Sequence, residues 1–560
     1  MSIEARLERI GRGWRGPVLA AAIALLAGLP GLIALPPLDR DESRFAEASA
    51  QMLETGDFVS PKFQETPRFK KPVGIYWLQA TAVASVSRVE ARQIWAYRIP
   101  SLLGAMLAAA ALAWGAAAFL TPGRSLVAGG VLGASFLLST EASIAATDGV
   151  LAGAVTLAMA ALARLWLAAN GGPPAGWRVK ALFWVGLAFS ILIKGPIGPM
   201  VVGLTLVALA IWTRRVRWML KLGWGWGLIG TAALIGPWAL AVTVASDGGF
   251  WGAAIGGDLA PKLLRGEESH GQPPGFYALL SPLMIFPATL LLPAGLVAGW
   301  RARAEPGVRF ALCWLIPSWI VFEAVPTKLI HYPLPLYGAL ALLIARALET
   351  PTGRVSRWAG LGLMILAAVV FAAIGPVAAN RFGSGEGEAW AILAAALYVA
   401  TAAVGAWFLL RDEATKALAA AGALALTAHA VLLGAVAPTL RPLWLSERAA
   451  KALAAAGASP SQGVYPGPVT VAGYEEPSIV FLLGSQTELG DGADAAEAIA
   501  EGRPAIVEAG QTAAFEEAMG EIGVAARRAG EGAGLDYSNN KREVLQIFLP
   551  AVGPAPKANP

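Results

Sequence analysis

The chain has 560 residues, of which 56% are hydrophobic and only 14% charged, and its formal net charge is +5. An ordinary globular domain is about 25% charged, so this composition excludes a typical soluble domain and indicates a membrane protein. The positive charge does not predict nucleic-acid binding, because the arginines fall in short clusters between apolar segments, as topology signals do.

Apolar runs long enough to cross a bilayer recur along the chain. The first follows a basic stretch and resembles a signal peptide, but it is long and lacks a convincing cleavage site, so we expect an uncleaved anchor. We predict a membrane all-α helical bundle of about thirteen transmembrane helices. The predicted spans are 17–36, 97–119, 125–143, 150–168, 180–193, 196–213, 222–244, 278–299, 309–324, 332–348, 357–379, 389–410 and 416–437.

Lysines and arginines concentrate in alternate connections between these spans, which is the positive-inside pattern. We therefore expect a multi-pass protein of the bacterial inner membrane with a cytoplasmic N-terminus. The long first loop, 37–96, then faces the periplasm. Within it, Val73–Val86 is apolar but short, which favours an interfacial or re-entrant helix.

After residue 437 the chain has fewer long apolar runs and more Glu, Gly and Ser. Short strands and helices alternate there, which predicts a small soluble α/β domain. We thus divide the chain into a transmembrane domain, 1–437, and a periplasmic domain, 438–560. The predicted strands are 468–472, 504–508 and 543–549, and the predicted helices are 475–483, 493–501 and 511–521.

The segment 38–72 packs acids, bases and aromatics between two apolar runs. Polar groups against a bilayer cost free energy, so such a cluster indicates a functional site. Asp41 and Arg44 follow the first span, and Lys71 directly precedes the interfacial helix. An acid near bases can activate a nucleophile while the bases hold a phosphate. The alternative is an ordinary solvated surface.

Other ionisable residues stand alone near span ends, nearly all on the same predicted side. They are Asp148 after the third span, Lys194 after the fifth, Lys328 after the ninth and His270 in the loop 245–277. Taken singly, each fits a helix-end anchor, a snorkelling lysine or a solvated loop histidine. Together with the first loop they predict a convergent site for an anionic lipid.

The run DRDESRFAEASAQMLETGDFVSPKFQETPRFKKPVGIYWLQA resembles the first-loop signature of C-type, polyprenyl-phosphate-dependent glycosyltransferases. It is most similar to the aminoarabinose lipid A transferase branch, which is related to protein O-mannosyltransferases. Phe45 stands where that branch usually has tyrosine, and Lys70 where an acid or a neutral residue is more typical. The matching positions are Asp41, Glu42, Arg44, Phe45, Lys71, Pro72, Tyr76 and Trp77, then ATDG around Asp148, KGP at Lys194–Pro196, HGQPPGFY at His270–Tyr277, TKLIHYPLP at Thr327–Pro335, YEEPSIVF at Tyr474–Phe481 and DYSNNK at Asp536–Lys541.

This resemblance implies an inverting glycosyltransferase. It would move a sugar from a polyprenyl (undecaprenyl) phosphate carrier to lipid A or another cell-envelope glycolipid. Lys71 and Arg44 would stabilise the leaving phosphate, Asp41 would orient or deprotonate the acceptor, and Asp148 would organise Lys71. The expected substrate-binding residues are Glu42, Phe45, Tyr76, Lys194, His270, Lys328, His331 and Tyr332.

A divalent metal ion held by Asp41 and Asp148 is left open, and no other cofactor is expected. The expected partners are the lipid-linked donor, the envelope acceptor and membrane lipid, with no nucleic acid, and the chain is expected to be a monomer. An alternative is a protein O-mannosyltransferase-like enzyme. A transporter or flippase would need charges within discontinuous spans and an inverted repeat, and a non-catalytic assembly subunit would leave the first-loop signature unexplained.

Overall fold

Residues 2–264, 271–460 and 467–551 are described by the structure, a computed structural model. Most of the chain is helical. The helices up to residue 264 are α1 (Ile3–Ile10), α2 (Arg15–Ala34), α3 (Asp41–Thr55), α4 (Gly74–Val86), α5 (Ile94–Ala116), α6 (Pro122–Gly133), α7 (Phe136–Glu141), α8 (Thr147–Ala168), α9 (Trp177–Lys194), α10 (Ile197–Thr213), α11 (Trp224–Ala245), α12 (Gly249–Trp251) and α13 (Ala260–Leu264). A π-helical stretch, Gly252–Leu259, joins α12 to α13.

A second group of helices completes the bundle, and a further group belongs to the C-terminal region. The bundle helices are α14 (Phe276–Met284), α15 (Leu292–Arg301), α16 (Pro306–Ala324), α17 (Tyr337–Ala347), α18 (Arg354–Phe382), α19 (Glu388–Leu410) and α20 (Ala414–Val431). The C-terminal helices are α21 (Leu445–Ala455), α22 (Pro477–Leu483), α23 (Gly492–Ala500) and α24 (Thr512–Ile522).

Within the described ranges, eight helices are long and apolar enough to cross a membrane, or nine if the bent pair α14 and α15 forms one span. These eight coincide with predicted spans. The other predicted spans fall on α6 with α7, α9, α10, the pair bent by 117°, and α17. Each of these is helical. All are short or broken except α9, which carries three charged residues, Arg178, Lys180 and Lys194. The count of thirteen therefore stays a prediction.

Close packing of α5 against α8 fixes the start of α8, where Asp148 lies. Gly149 and Gly153 form a Gly-x-x-x-Gly pair, which lets helices in a membrane approach closely. A β-carbon placed on Gly153 would lie 2.5 Å from the carbonyl oxygen of Gly104 in α5. The small side chains therefore set the distance between the two helices.

The first loop folds into two helices that lie side by side, α3 and α4, with a small hairpin between them. The hairpin consists of β1 (Lys62–Phe63) and β2 (Thr66–Pro67), which pair antiparallel. Two acids, Asp41 and Glu42, begin α3, where negative charge stabilises a helix N-terminus. Gly56, with φ of 73°, ends it. The predicted helix at Val73–Val86 is α4.

The C-terminal domain, residues 445–551 without the undescribed 461–466, is a five-stranded mixed sheet with helices on both faces. Its strands are β3 (Thr470–Ala472), β4 (Glu488–Gly490), β5 (Ala505–Glu508), β6 (Ala526–Asp536) and β7 (Lys541–Pro550), in the order β4-β3-β5-β7-β6. Strands β3, β4 and β5 are parallel, and β7 runs antiparallel to its neighbours β5 and β6. All six predicted elements are present. Helix α21 and strands β4 and β6 were not predicted.

Replacing Gly153 by leucine should separate α5 from α8 and lower the thermal unfolding midpoint of the protein in detergent by several degrees, since overpacking typically costs about 1–3 kcal/mol. The matched control is Gly203→Leu in α10, where a β-carbon meets no atom within 4 Å. Equal midpoints for the two variants would show that the α5–α8 contact does not determine the stability of the bundle.

Candidate active site

Two connected hollows lie where the first loop meets the bundle. The polar cavity has a volume of about 320 Å³, and the apolar groove about 540 Å³. The ionisable residues of the polar cavity are Asp39, Arg40, Asp41, Glu42, Arg44, Arg68, Lys70, Lys71, Glu141, Asp148, Lys194, Asp258, Lys262, His331 and Tyr332. The apolar residues of the groove are Pro72, Leu151, Ile191, Pro196, Ile197, Pro199, Met200, Phe250, Trp251, Ala254, Ile255, Leu259, Val321, Phe322 and Val325.

Seven side chains line both hollows and form their boundary: Lys70, Lys71, Asp148, Lys194, Asp258, Lys262 and Tyr332. Four of these are lysines and two are carboxylates. The four lysines, called the lysine ring below, outnumber the two carboxylates. The boundary is therefore positively charged and lies between an apolar and a polar space, which is the environment that an amphipathic anion requires.

Asp41 is the first residue of α3 and is the exposed acid of the polar cavity, with 71% of its side chain accessible. Its Oδ1 lies 3.5 Å from Nη2 of Arg68. Partial desolvation would raise the pKa of Asp41, but the charges of Arg68, Arg44 and Lys71 outweigh it and lower the pKa. Asp41 is therefore ionised and available at neutral pH.

Lys71 and Lys262 share one carboxylate. Nζ of Lys71 donates to Oδ2 of Asp258 at 2.6 Å, and Lys262 bonds the other oxygen. Burial lowers the pKa of Lys71 to about 8, because Asp258 compensates only part of the lost hydration and Lys262 repels it. The same two lysines lower the pKa of Asp258 against the opposing effect of its burial.

Asp148 is buried at the start of α8 and binds two groups. Its Oδ1 accepts a hydrogen bond from Nζ of Lys194 at 2.6 Å, and its Oδ2 accepts one from the hydroxyl of Thr147 at 3.0 Å. The ammonium of Lys194 also lies 5.1 Å from the ring centre of Tyr332, a cation–π contact. Asp148 therefore positions Lys194, and not Lys71 as predicted, at the boundary.

His331 lies between two carboxylates. Its Nδ1 is 3.5 Å from Oε1 of Glu141, and its Nε2 is 3.6 Å from Oδ2 of Asp148. In the described part of the chain, Glu141, Asp148 and His331 form the one group of three side chains that could hold a metal ion. Asp41 is not in this group, and a metal ion held by Asp41 and Asp148 stays an open possibility.

Two cations of the cavity have no protein partner among the described residues. Arg44 is half-buried and Lys70 is exposed, and neither side chain makes a hydrogen bond or an ion pair there. Their charges are thus available to a ligand. Lys70 stands where the similar transferase branch typically has an acid or a neutral residue, and it adds a cation to the boundary.

Glu42 serves the scaffold of the site. Its carboxylate receives Nε and Nη2 of Arg98 at 2.8 and 2.7 Å, and the amides of Leu38 and Ala145 at 2.8 and 2.7 Å. Both side chains are buried, and Arg98 also donates to carbonyls at the end of α2. The prediction that Glu42 binds substrate is corrected on this ground, because each of its oxygens already accepts two hydrogen bonds.

Three further residues predicted to bind substrate are largely buried, and their side chains contact other parts of the protein. Tyr76 is buried and lies outside both hollows, with its ring 5.5 Å from that of Phe45. Phe45 lines the polar cavity but is 4% exposed, and Arg68 stacks on its ring at 4.7 Å. Lys328 lies outside both hollows, and its ammonium donates to the carbonyls of Gln272 and Val325. His270 lies outside the described residues.

Arg68, Asp258 and Glu141 line the site but were not among the predicted site residues. Glu141 is an isolated acid in an apolar run, a pattern that marks functional residues in membranes and could have identified it. Asp258 stands four residues before Lys262, and Arg68 precedes the two lysines of the first loop. Neither pattern distinguishes a site from a solvated loop.

The helical bundle with a charged first loop, an apolar groove and a C-terminal α/β domain has the architecture of the C-type glycosyltransferases. The crystal structure of ArnT from Cupriavidus metallidurans in the apo state matches with a TM-score of 0.74 and 20% identity, over 95% of this chain and 97% of that chain. The structure of ArnT from the same organism bound to undecaprenyl phosphate matches with a TM-score of 0.74 and 19% identity. At these identities the likeness establishes the fold.

Sequence comparisons identify the same group of proteins. A family model described as dolichyl-phosphate-mannose-protein mannosyltransferase matches residues 37–247. The undecaprenyl phosphate-alpha-4-amino-4-deoxy-L-arabinose arabinosyl transferase of Pseudomonas paraeruginosa is 30% identical over 362 residues, which are 61% of this chain and 64% of that protein. The transferase of the same name from Aeromonas salmonicida is 28% identical over 62% of this chain and 65% of its own. Both matches thus span less than two thirds of the relatives' length.

The predicted resemblance to C-type, polyprenyl-phosphate-dependent glycosyltransferases of the aminoarabinose transferase type is therefore confirmed, as is the predicted fold. The chain is a multi-pass protein of the bacterial inner membrane.

Replacing Arg98 by alanine should leave the carboxylate of Glu42 buried without a counter-ion, a change that typically costs about 3–5 kcal/mol. We expect a large drop in the thermal unfolding midpoint in detergent. Arg528→Ala, which breaks an exposed ion pair with Glu531, is the control and should change stability by less than about 1 kcal/mol. Similar midpoints for both variants would contradict the scaffold role of the Glu42–Arg98 pair.

Proposed function

We propose that the chain is an inverting glycosyltransferase that moves a sugar from an undecaprenyl or related polyprenyl phosphate to a cell-envelope acceptor. The observation that carries this proposal is the boundary between the two hollows. A polyprenyl-phosphate sugar has an apolar tail, an anionic phosphate and a polar sugar in that order. The apolar groove, the lysine ring and the polar cavity follow one another in the same order.

In this proposal the phosphate of the donor binds at the lysine ring. Lys71 and Lys194 contribute charge from positions fixed by Asp258 and Asp148. Arg44, which has no partner among the described residues, contributes a guanidinium that suits two phosphate oxygens at once. Charge grows on the phosphate as its bond to the sugar breaks, so these cations stabilise the transition state more than the ground state.

The acceptor enters from the side of Asp41. An acceptor oxygen forms a bond to the anomeric carbon as the bond between that carbon and the phosphate oxygen breaks, and the electron pair leaves with the phosphate. If the acceptor is a hydroxyl, its proton passes to the ionised carboxylate of Asp41. If it is a phosphate, little base catalysis is needed, and Asp41 orients Arg44 or the sugar. Attack opposite the leaving group inverts the anomeric configuration.

Lipid A is the proposed acceptor, since the first-loop motif resembles that of the aminoarabinose lipid A transferases and the relatives named above are aminoarabinose transferases. The match to the mannosyltransferase family covers the first loop and the bundle as far as residue 247, which contain most of the donor side of the site. It therefore supports the lipid-phosphate donor and leaves a protein hydroxyl as the alternative acceptor. We further propose that the N-terminus is cytoplasmic and that the site and the C-terminal domain face the periplasm, because basic residues concentrate in the opposite connections.

A divalent cation, if the enzyme uses one, would be held by Glu141, Asp148 and His331, which offer oxygen and nitrogen ligands within 4.8 Å of one another. Such an ion would supply further positive charge near the phosphate. The lysine ring and Arg44 supply such charge without it.

Asp41→Asn and Lys71→Ala should each lower transfer by about 100-fold or more, the loss typical of a removed base or of a charge that stabilises a leaving group. The measurement is mass spectrometry of lipid A and of polyprenyl phosphates from cells that lack the gene and carry wild type or a variant. Wild type should add a sugar to lipid A, and both variants should be made and inserted normally. The controls are Glu65→Gln and Lys62→Ala in the same loop, outside both hollows.

Full activity in both Asp41→Asn and Lys71→Ala would remove the site assignment. Unchanged lipid A together with altered glycoproteins in wild-type cells would replace the lipid acceptor by a protein.

The affinity of the purified protein for undecaprenyl phosphate should fall as the pH rises through about 8, because Lys71 has its pKa lowered to about 8 and loses its charge above it. Lys71→Arg keeps the charge, so its affinity should decline only at higher pH. Lys62→Arg is the matched control and should behave as wild type. The same decline in wild type and Lys71→Arg would exclude Lys71 as the titrating group.

A further inference from the structure

The backbone immediately before Asp41 has a conformation that its residue type disfavours. Arg40 has φ of 59° and ψ of −107°. These angles correspond to the first central position of a type II′ turn, which glycine dominates because a β-carbon clashes there. A non-glycine residue persists in such a region only when the surrounding structure fixes it.

Part of that fixation is local, because the hydroxyl of Ser43 donates to the carbonyl of Leu38 and the amide of Leu38 donates to Glu42. The C-terminal domain supplies the rest through the turn between β6 and β7. The amide of Asp39 donates to the hydroxyl oxygen of Tyr537 at 2.7 Å, and Nη2 of Arg40 donates to the carbonyl of Ser538 at 2.8 Å. The turn is itself fixed, since the carboxylate of Asp536 accepts from the amide of Ser538 at 2.9 Å and from the side chain of Asn539 at 2.8 Å. The two hydrogen-bonded turns thus meet at the start of α3.

A second contact holds the side chain of Asp39. The hydroxyl of Ser478, at the start of α22, donates to Oδ1 of Asp39 and lies 2.5 Å from the hydroxyl of Ser446. Ser446 in turn bonds the hydroxyl of Tyr474 at 2.8 Å. All three C-terminal residues are buried. The YEEPSIVF and DYSNNK motifs, which are about sixty residues apart, therefore converge on Asp39 and Arg40.

The far end of α3 is held by the same domain. The hydroxyl of Ser485 donates to Oε2 of Glu54 at 2.6 Å, and Arg92 bonds the other oxygen of that carboxylate. Phe481 packs edge-on against Tyr97 with 5.3 Å between ring centres. The domain therefore contacts α3 at both ends.

Asp41 depends on this arrangement because its own side chain is weakly held. Among the described residues its side chain makes one ion pair, with Arg68 at 3.5 Å, and 71% of the side chain is exposed. The direction of its carboxylate therefore follows from the backbone at the start of α3.

We propose that the C-terminal domain is a positioning element for the transfer reaction, in which Tyr537 fixes the strained backbone at Asp39 and Arg40 and thereby aims Asp41 at the acceptor. Tyr537 is a positioning residue and contacts no substrate. This inference rests on the proposed function, since Asp41 is the group that it positions.

The first test is Tyr537→Phe in the full-length protein. The variant loses the acceptor of the Asp39 amide, so we expect kcat to fall about three- to tenfold, the range for one lost hydrogen bond, with KM for the donor unchanged. Hydrogen exchange of backbone amides in the 38–44 segment should become faster. Glu531→Gln, on the same hairpin away from the turn, is the control and should match wild type in both measurements.

The second test separates positioning from simple attachment of the domain. Arg40→Gly removes the β-carbon that makes the turn conformation costly, so Tyr537→Phe combined with Arg40→Gly should recover most of the lost kcat. Tyr537→Phe combined with Arg40→Ala deletes the same long side chain but keeps the β-carbon, and should stay impaired. Equal rates for the two double variants would overturn the positioning role.

The two proposals fail in different ways. If wild type transfers sugar but Tyr537→Phe changes neither kcat nor the exchange of 38–44, the positioning inference is wrong and the proposed function stands. If wild type transfers no sugar while the exchange still accelerates in Tyr537→Phe, the contact is real and the proposed function is wrong.

Discussion

Charge pairing where the first loop meets the helical bundle is the constraint on which the structure depends. Removing a charge from water costs several kcal/mol, so a site rich in lysine and arginine needs partners brought from elsewhere in the chain. Lys71 pairs with Asp258, which is 187 residues away in the chain, and Lys194 pairs with Asp148, which is 46 residues away. Glu42 and Arg98 form a further buried ion pair next to the cavity. The site therefore requires distant segments of the chain to meet in the folded bundle.

The same pairing explains how one surface can hold a lipid anion. The paired lysines form a boundary between an apolar groove and a polar cavity, while Arg44 and Lys70 keep their charge unpaired within the described residues. Helix α3 connects this boundary to the C-terminal domain, because it begins with Asp41 and contacts that domain at both ends. In this account the α/β domain is a structural part of the site.

Sequence reasoning predicted what depends on local patterns. Long apolar runs predicted α2, α5 and α18, since length and hydropathy are properties of a single segment. The first-loop motif and isolated charges predicted that Asp41, Lys71, Asp148 and Lys194 would meet. The structure brings all four to the polar cavity, and the last three line its boundary with the groove. Local patterns could not reveal partners. Lys328 bonds loop carbonyls, Glu42 is saturated by Arg98, and Asp258 was missed, because each outcome depends on a distant segment.

The central claim is that cations from separate parts of the chain hold a lipid phosphate beside Asp41. The most direct test is an electron cryomicroscopy structure of the full-length protein in lipid nanodiscs with undecaprenyl phosphate added. The account predicts phosphate density in contact with Lys71 and Arg44, and isoprenoid density along the groove past Phe250 and Phe322. Phosphate density away from this boundary, or a carboxylate of Asp41 directed away from it into bulk water, would contradict the account.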